Sequence, residues 1–176
     1  MKESRLTLEE SQKVDFVKGL RGKVFHVTLY KNLESIKRSS GILVNTDCKL
    51  ETAFGNAANS LYRINNCVSV FDYESPSSEK WQDHMWKCSP LLKSDEEDLA
   101  FLFLSEEAKN KLIRWVDIKG EWTSERVVPY VEAGYPGTLL LSNIVEILIV
   151  NVLVDKNSLA YKLKQAQNNA NKVKIK

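Results

Sequence analysis

A chain of 176 residues, with 43% hydrophobic and 27% charged residues, has the composition of one globular domain that buries its own core. Its net charge of +2 excludes a strongly basic binder of duplex nucleic acid. Three cysteines are too few for a disulfide framework. No signal peptide or membrane-length apolar run is recognisable, so we expect a cytoplasmic protein that makes no membrane contact.

The N-terminal residues predict a helix. Thr7-Leu8-Glu9-Glu10 matches a capping box, in which the Thr7 hydroxyl and the Glu10 carboxylate satisfy free N–H groups. Apolar residues then recur at helical spacing as far as Leu20, before Gly22. We therefore expect residues 1–22 to form an N-terminal helical segment.

A strand and two helices are predicted next. Residues 23–30 alternate and are rich in β-branched and aromatic side chains, which indicates a strand. Asn32 is a favourable N-cap for a short helix that Gly41 closes. A helix over 52–63 and a strand over 68–73 follow.

The second half of the chain predicts three strands among helices, and no domain boundary. The continuous apolar run at 99–104 indicates a buried central strand. Two further strands are predicted over 126–132 and 147–154, with a turn at 135–137 between them. One predicted helix contains Trp81 and another begins at Ser105. A last helix begins at Ser158 and ends in a basic tail, and both lie within 155–176. One domain over 1–176 with five or six strands is expected.

Familiar catalytic motifs are absent from the sequence. It has no glycine-rich phosphate loop, no dinucleotide fingerprint and no nucleophile elbow. His84 and Cys88 stand four residues apart, but two ligands do not make a zinc site, and packing on a helix explains them better. Trp115 and Trp122 flank a polar loop, where they either anchor the loop or stack on a base.

Three polar residues remain as candidates for chemistry. His26 shares a strand face with Thr28, although a lone strand histidine is usually structural. Glu132 follows an apolar stretch, where a carboxylate is costly unless it is paired or used. Arg63 ends a predicted helix, where it either complements the helix dipole or serves a site.

These residues lie in the order in which DarT-like ADP-ribosyltransferases carry their site. The segment Phe25-His26-Val27-Thr28-Leu29-Tyr30-Lys31-Asn32-Leu33-Glu34-Ser35-Ile36 resembles that family's first motif: a histidine, a threonine two later and an asparagine-leucine pair six later. Arg63 before the strand 68–73 and Glu132 before the turn Tyr135-Pro136-Gly137 resemble the second and third motifs. The similarity extends from about Phe25 to Val154.

The resemblance implies an α+β fold with a mixed, mainly antiparallel split sheet flanked by helices, and NAD as substrate. Glu132 and Arg63 are then the catalytic residues. His26, Thr28, Tyr30 and Asn32 are the residues expected to bind NAD. The expected acceptor of ADP-ribose is a nucleic-acid base or a protein, and for a toxin or phage-defence effector a neutralising antitoxin is an expected partner.

Two alternatives stay open at this level. A relative that removes a phosphate from RNA with NAD would carry more basic residues and a different histidine-arginine signature. A non-catalytic domain of the same fold would bind NAD or nucleic acid and lack turnover.

Overall fold

The computed structural model describes residues 1–50, 60–74, 79–85, 87–92, 94–95, 97–118, 127–155, 157–159, 161–163 and 166, and they form one α+β domain. Its strands are β1 Lys2–Glu9, β2 Val24–Leu29, β3 Gly41–Ile42, β4 Cys67–Asp72, β5 Leu99–Leu104, β6 Ile113–Arg114, β7 Glu132–Pro136, β8 Leu139–Leu140 and β9 Ile144–Leu153. Its helices are α1 Lys13–Gly19, α2 Leu33–Arg38, α3 Leu61–Ile64, α4 Glu79–Met85, α5 Glu106–Lys109 and α6 Trp115–Ile118.

Seven strands form one mixed sheet in the order β1-β9-β5-β2-β4-β7-β6, and β3 pairs with β8 in a second, two-stranded sheet. Every pairing is antiparallel except that of β1 with β9. All six residues of β5 are buried, as the apolar run at 99–104 predicts. The mixed, mainly antiparallel sheet is thus confirmed.

Helices cover both faces of the large sheet. Phe25, Val27 and Leu29 point into one core cluster, which also contains Leu20, the residue after α1, and Trp81 of α4. The alternate residue Val24 belongs to a second cluster, with Leu33 of α2 and Ala108 of α5. Because each face of β2 has its own core, the strand is fixed on both sides.

The large sheet is split between β2 and β4. The two strands pair only at Val24–Asp72 and Phe25–Phe71. Beyond Phe25, β2 continues to pair with β5 as far as Leu29, and β4 continues to pair with β7 as far as Cys67. The two halves of the sheet therefore diverge and leave a gap.

The predicted N-terminal helix over 1–22 is wrong in its first half. Residues Lys2–Glu9 form β1 and pair in parallel with β9 along their whole length, and only Lys13–Gly19 is α-helical. The capping box uses Glu9 and Gln12, whose side-chain oxygen accepts from the Glu9 N–H at 2.8 Å, in place of Thr7 and Glu10. Residues 5–9 do alternate polar and apolar side chains as a strand does, but the match of Thr7 and Glu10 to a capping box favours a helix.

The predicted strand over 126–132 is also wrong. Residues 127–131 form a turn, and β7 starts at Glu132, which is the first residue of a strand and not the last. Tyr135 and Pro136 lie inside β7, and the chain reverses at Gly137, whose φ is +69°. Left-handed backbone of this kind favours glycine.

Two smaller predictions are wrong. The described residues form nine strands in place of the expected five or six, and Gly41 begins β3 in place of closing α2, after which Ser40 is the left-handed residue.

Most other predicted elements agree with the structure where it describes the chain. The strands at 23–30, 68–73 and 147–154 correspond to β2, β4 and β9. Ser105 caps α5, with its Oγ accepting from the Ala108 N–H at 3.2 Å, and Ser158 begins a helical turn. Most of the predicted helix over 52–63 and the basic tail lie outside the described residues.

Candidate functional site

A cleft of about 300 Å³ opens at the gap between β2 and β4. Its walls come from β2, β4, α2, the segment that follows α2, Arg63 of α3, Cys88 and the first residue of β7. Five of the six predicted site residues line it: His26, Thr28, Asn32, Arg63 and Glu132. These residues, distant in sequence, thus share one cleft.

His26 spans the gap. Its Nδ1 lies 2.9 Å from the carbonyl oxygen of Ser69 on β4. Because a carbonyl oxygen only accepts, Nδ1 carries the proton of the neutral ring, and Nε2 is left as an acceptor. Burial lowers the pKa of His26 despite the Ser69 hydrogen bond, so the ring is neutral at neutral pH.

Thr28 and Asn32 form a hydrogen-bonded pair on the α2 side of the cleft. The Asn32 Nδ2 donates to the Thr28 Oγ1 at 3.1 Å, and Thr28 is only 5% exposed. Asn32 stands at the N-cap of α2, but its side chain does not cap the helix. A 3-10 turn, Tyr30–Asn32, instead carries β2 into α2, which leaves the Asn32 side chain at the cleft.

The backbone also contributes polar groups to the gap. The Lys23 carbonyl accepts from the Tyr73 N–H at 2.9 Å, so alternate residues of β2 after Lys23 turn their N–H and C=O toward β4. Val27 is one of these residues, and it lies past the last β2–β4 pair. Its N–H and C=O therefore face the cleft, and no strand among the described residues pairs with them on that side.

Glu132 is half-buried at the start of β7. Its Oε2 accepts from the Val128 N–H at 2.6 Å. Burial raises the pKa of Glu132, although the Val128 hydrogen bond acts in the opposite direction. Within the described part of the chain, no cation forms a salt bridge with this carboxylate.

Arg63 lies on α3 and is 9% exposed, so it is not a solvated charge at a helix end. One guanidinium nitrogen, Nη1, donates to the Cys48 Sγ at 3.0 Å. Among residues 1–50, 60–74 and the other described segments, no carboxylate lies within salt-bridge distance of it. A buried guanidinium with so weak an acceptor retains unused donors.

Tyr30 does not line the cleft. Its side chain is 37% exposed, and its hydroxyl accepts from Arg5 Nη2 of β1 at 2.6 Å. The Arg5 guanidinium also lies over the Tyr30 ring, 4.7 Å from its centroid. In the structure Tyr30 joins β1 to the start of α2, in contrast to its predicted contact with NAD.

Several cleft residues carry no sequence signal that singles them out. Ser69 is a serine in an apolar strand, and Cys88 follows the tryptophan-containing helix α4. Burial and the charge of Glu132 raise the pKa of the Cys88 thiol to about 12, so it is protonated at neutral pH. The Tyr62 hydroxyl donates to the Glu132 backbone carbonyl at 3.2 Å, which links α3 to β7.

Neither a metal centre nor a membrane helix is found in the part of the chain that the structure describes. Its residues contain no group of three metal-binding side chains, and His84 and Cys88 gain no third ligand. None of its helices is long and apolar enough to cross a membrane.

Comparisons with protein-family models, curated proteins and solved structures find no match for this chain.

Proposed function

We propose that the protein is an NAD-dependent ADP-ribosyltransferase whose active site is the cleft between β2 and β4. The main support is that Arg63 and Glu132, two residues of opposite charge, line the same cleft. Neither forms a salt bridge with another described residue. A ligand with an anionic group and an electron-poor, positively charged ring complements both residues. NAD has this chemistry in its diphosphate and its nicotinamide riboside.

Arg63 is the proposed diphosphate contact. A guanidinium binds phosphate oxygens through parallel N–H donors, and a charge-assisted bond of this kind is stronger than its bond to a thiol. Arg63 is 9% exposed, and among the described residues its guanidinium donates only to the Cys48 sulfur. An incoming diphosphate would therefore meet a preformed, poorly hydrated donor.

The strand edge of Val27 is the proposed contact for the nicotinamide carboxamide. A primary amide offers one acceptor and two donors, and the Val27 N–H and C=O supply a donor and an acceptor side by side. The neutral His26 ring leaves Nε2 as a further acceptor for a ribose hydroxyl or an amide N–H. Thr28 and Asn32 hold each other in place beside it.

Glu132 is the proposed catalytic carboxylate. When the bond between nicotinamide N1 and the ribose breaks, the bonding electron pair leaves with neutral nicotinamide and positive charge develops on the ribose, as in glycoside hydrolysis. The carboxylate stabilises that charge. The acceptor then forms a bond to the anomeric carbon and releases a proton, which Glu132, with its raised pKa, is suited to take.

The proposed acceptor is a nucleic-acid base or a protein side chain, and the proposed site of action is the cytoplasm. If the activity is toxic to its host, a neutralising antitoxin is the expected partner. The non-catalytic alternative predicts NAD binding without release of nicotinamide.

The test is release of nicotinamide from NAD by the purified protein, with DNA, RNA and protein offered as acceptors. We expect Glu132→Gln to reduce release at least about a hundredfold, because transition-state charge loses its stabilising partner. Glu106→Gln, on exposed α5, is the matched control and should retain activity. Binding of NAD without release would favour the non-catalytic domain, and an active Glu132→Gln variant would refute the catalytic role.

A further inference from the structure

We infer that Tyr130 is a positioning residue that holds the Glu132 carboxylate in place through the turn at 127–131. Its backbone is in the left-handed region, with φ at +62°, a conformation that bulky residues rarely adopt. Such an outlier persists only where its surroundings enforce it. That the positioned carboxylate serves catalysis rests on the proposed function, whereas its positioning by Tyr130 does not.

The turn closes on itself around Val128. The Val128 carbonyl accepts from the N–H of Val131 at 3.2 Å and from that of Glu132 at 3.1 Å. The Val128 N–H in turn donates to Glu132 Oε2 at 2.6 Å. The orientation of the carboxylate therefore depends on the path of the turn, in which Tyr130 is the left-handed residue.

The Tyr130 ring anchors that path from two sides. It stacks on His84 of α4, with ring centroids 5.9 Å apart, and meets Trp115 of α6 edge-on at 6.3 Å. Both separations lie in the range in which aromatic pairs attract. The far end of the turn is fixed separately, because the Asp72 N–H donates to the Val131 carbonyl at 2.7 Å.

The titratable groups around Glu132 leave its pKa sensitive mainly to its hydrogen bond with the Val128 N–H. Tyr62 on α3 and Cys88 after α4 both have pKa values raised by burial and are neutral at neutral pH. Asp72 on β4 is paired with Arg114, whose Nε lies 2.9 Å from its Oδ2. The Val128 N–H stabilises the charged form of Glu132, so losing this bond should raise the Glu132 pKa.

The experiment is an NMR titration of the protein labelled with ¹³C at the glutamate carboxyls. The Glu132 signal is identified by its absence in Glu132→Gln. We expect Tyr130→Ala to raise the Glu132 pKa by about one unit, a tenfold gain in proton affinity. Tyr130→Phe, which keeps the ring, and Tyr30→Ala, outside the cleft, should leave it within about 0.2 units. The acid limb of nicotinamide release should move with the titration.

An unchanged Glu132 pKa in folded Tyr130→Ala would overturn the inference. If that variant does not fold, His84→Ala is the test, because it removes one of the two rings that contact Tyr130 from a half-buried position. This variant should also raise the Glu132 pKa. An unchanged Glu132 pKa in His84→Ala would overturn the inference. The titration needs no NAD. A protein that releases no nicotinamide but shows these shifts would refute the proposed function and leave the role of Tyr130 standing.

Discussion

Glu132 brings a carboxylate into partly buried surroundings, and no cation among the described residues offsets the lost hydration. Burial raises its pKa above the ordinary value of 4.5, so the folded protein binds this proton more tightly than the unfolded chain. Stability from this group is therefore present at low pH and falls as pH rises from about 4.5 through the folded pKa. Above the folded pKa, the ionised carboxylate destabilises the fold relative to its protonated form.

We accordingly predict that Glu132→Gln stabilises the protein at pH 7 by about 1 kcal/mol, a rise in melting temperature of roughly 2–4 °C. The amide oxygen still accepts from the Val128 N–H, and the charge is gone. Scanning calorimetry at pH 4 and pH 7 tests this, since the gain should vanish where the native carboxyl is protonated. A variant less stable than the native protein at pH 7 would contradict the argument.

Arg63 is likewise a buried charged residue without a salt bridge to another described residue, but its charge is positive. We predict that Arg63→Met leaves stability within about 1 kcal/mol, because replacing a buried charge by an apolar side chain is often neutral or stabilising. The same change should weaken NAD binding by roughly 10- to 100-fold, the worth of a charge-assisted hydrogen bond. Calorimetric titration with NAD measures this. Exposed Arg38→Met, outside the cleft lining, is the control, and equal losses in both variants would refute the diphosphate contact.

The sequence predicts those site residues whose polar side chains stand out in an apolar segment. His26, Thr28, Asn32, Arg63 and Glu132 are polar residues in apolar surroundings, and all five line the cleft. Cys48 and the Val27 backbone could not be predicted, because a thiol acceptor and an unpaired strand edge exist only once the sheet has split. Tyr30 is predicted to bind NAD from the motif alone, and in the structure its hydroxyl instead contacts Arg5 of β1, 25 residues away.

At the scale of elements, the packing of α3 against β7 depends on a glycine. A Cβ built on Gly134 would lie 2.3 Å from the Tyr62 ring, so only glycine fits there unless Tyr62 moves. We predict that Gly134→Ala destabilises the protein by about 1–3 kcal/mol, as overpacking does. Gly19→Ala, where a Cβ meets nothing within 4 Å, should be neutral or stabilising. Urea unfolding of both variants tests the pair, and equal stabilities would count against this packing.

The elements predicted correctly are those whose signals are local. The apolar runs of β5 and β9 and the Ser105 cap need only neighbours in sequence. Strand β1 is not predicted, because its pairing partner, β9, lies more than 130 residues away and Thr7-Leu8-Glu9-Glu10 matches a capping box. Residues 127–131 are predicted as part of a strand because valines favour strands. Pro129 favours a turn instead, and in the structure the Tyr130 backbone is left-handed.

At the scale of the whole molecule, the split sheet makes ligand binding a link between two halves. Strands β1, β9, β5 and β2 lie on one side of the gap and β4, β7 and β6 on the other, with only two residue pairs joining β2 to β4. A ligand that contacts Val27 on one side and Arg63 or Glu132 on the other stabilises both halves together. At a concentration of 100 times its dissociation constant, NAD should add about 2.7 kcal/mol.

That gain corresponds to a rise in melting temperature of roughly 5–10 °C for a chain of this length. Hydrogen exchange shows which residues NAD stabilises. NAD should slow exchange of the Val27 amide, which faces the gap. Exchange of the Ala100 amide, inside β5, should change only as much as the global stability does. Nicotinamide alone should protect Val27 without strengthening the Arg63 side, whereas ADP-ribose should do the reverse. Protection of Val27 by ADP-ribose and not by nicotinamide would reverse the proposed direction of NAD in the cleft.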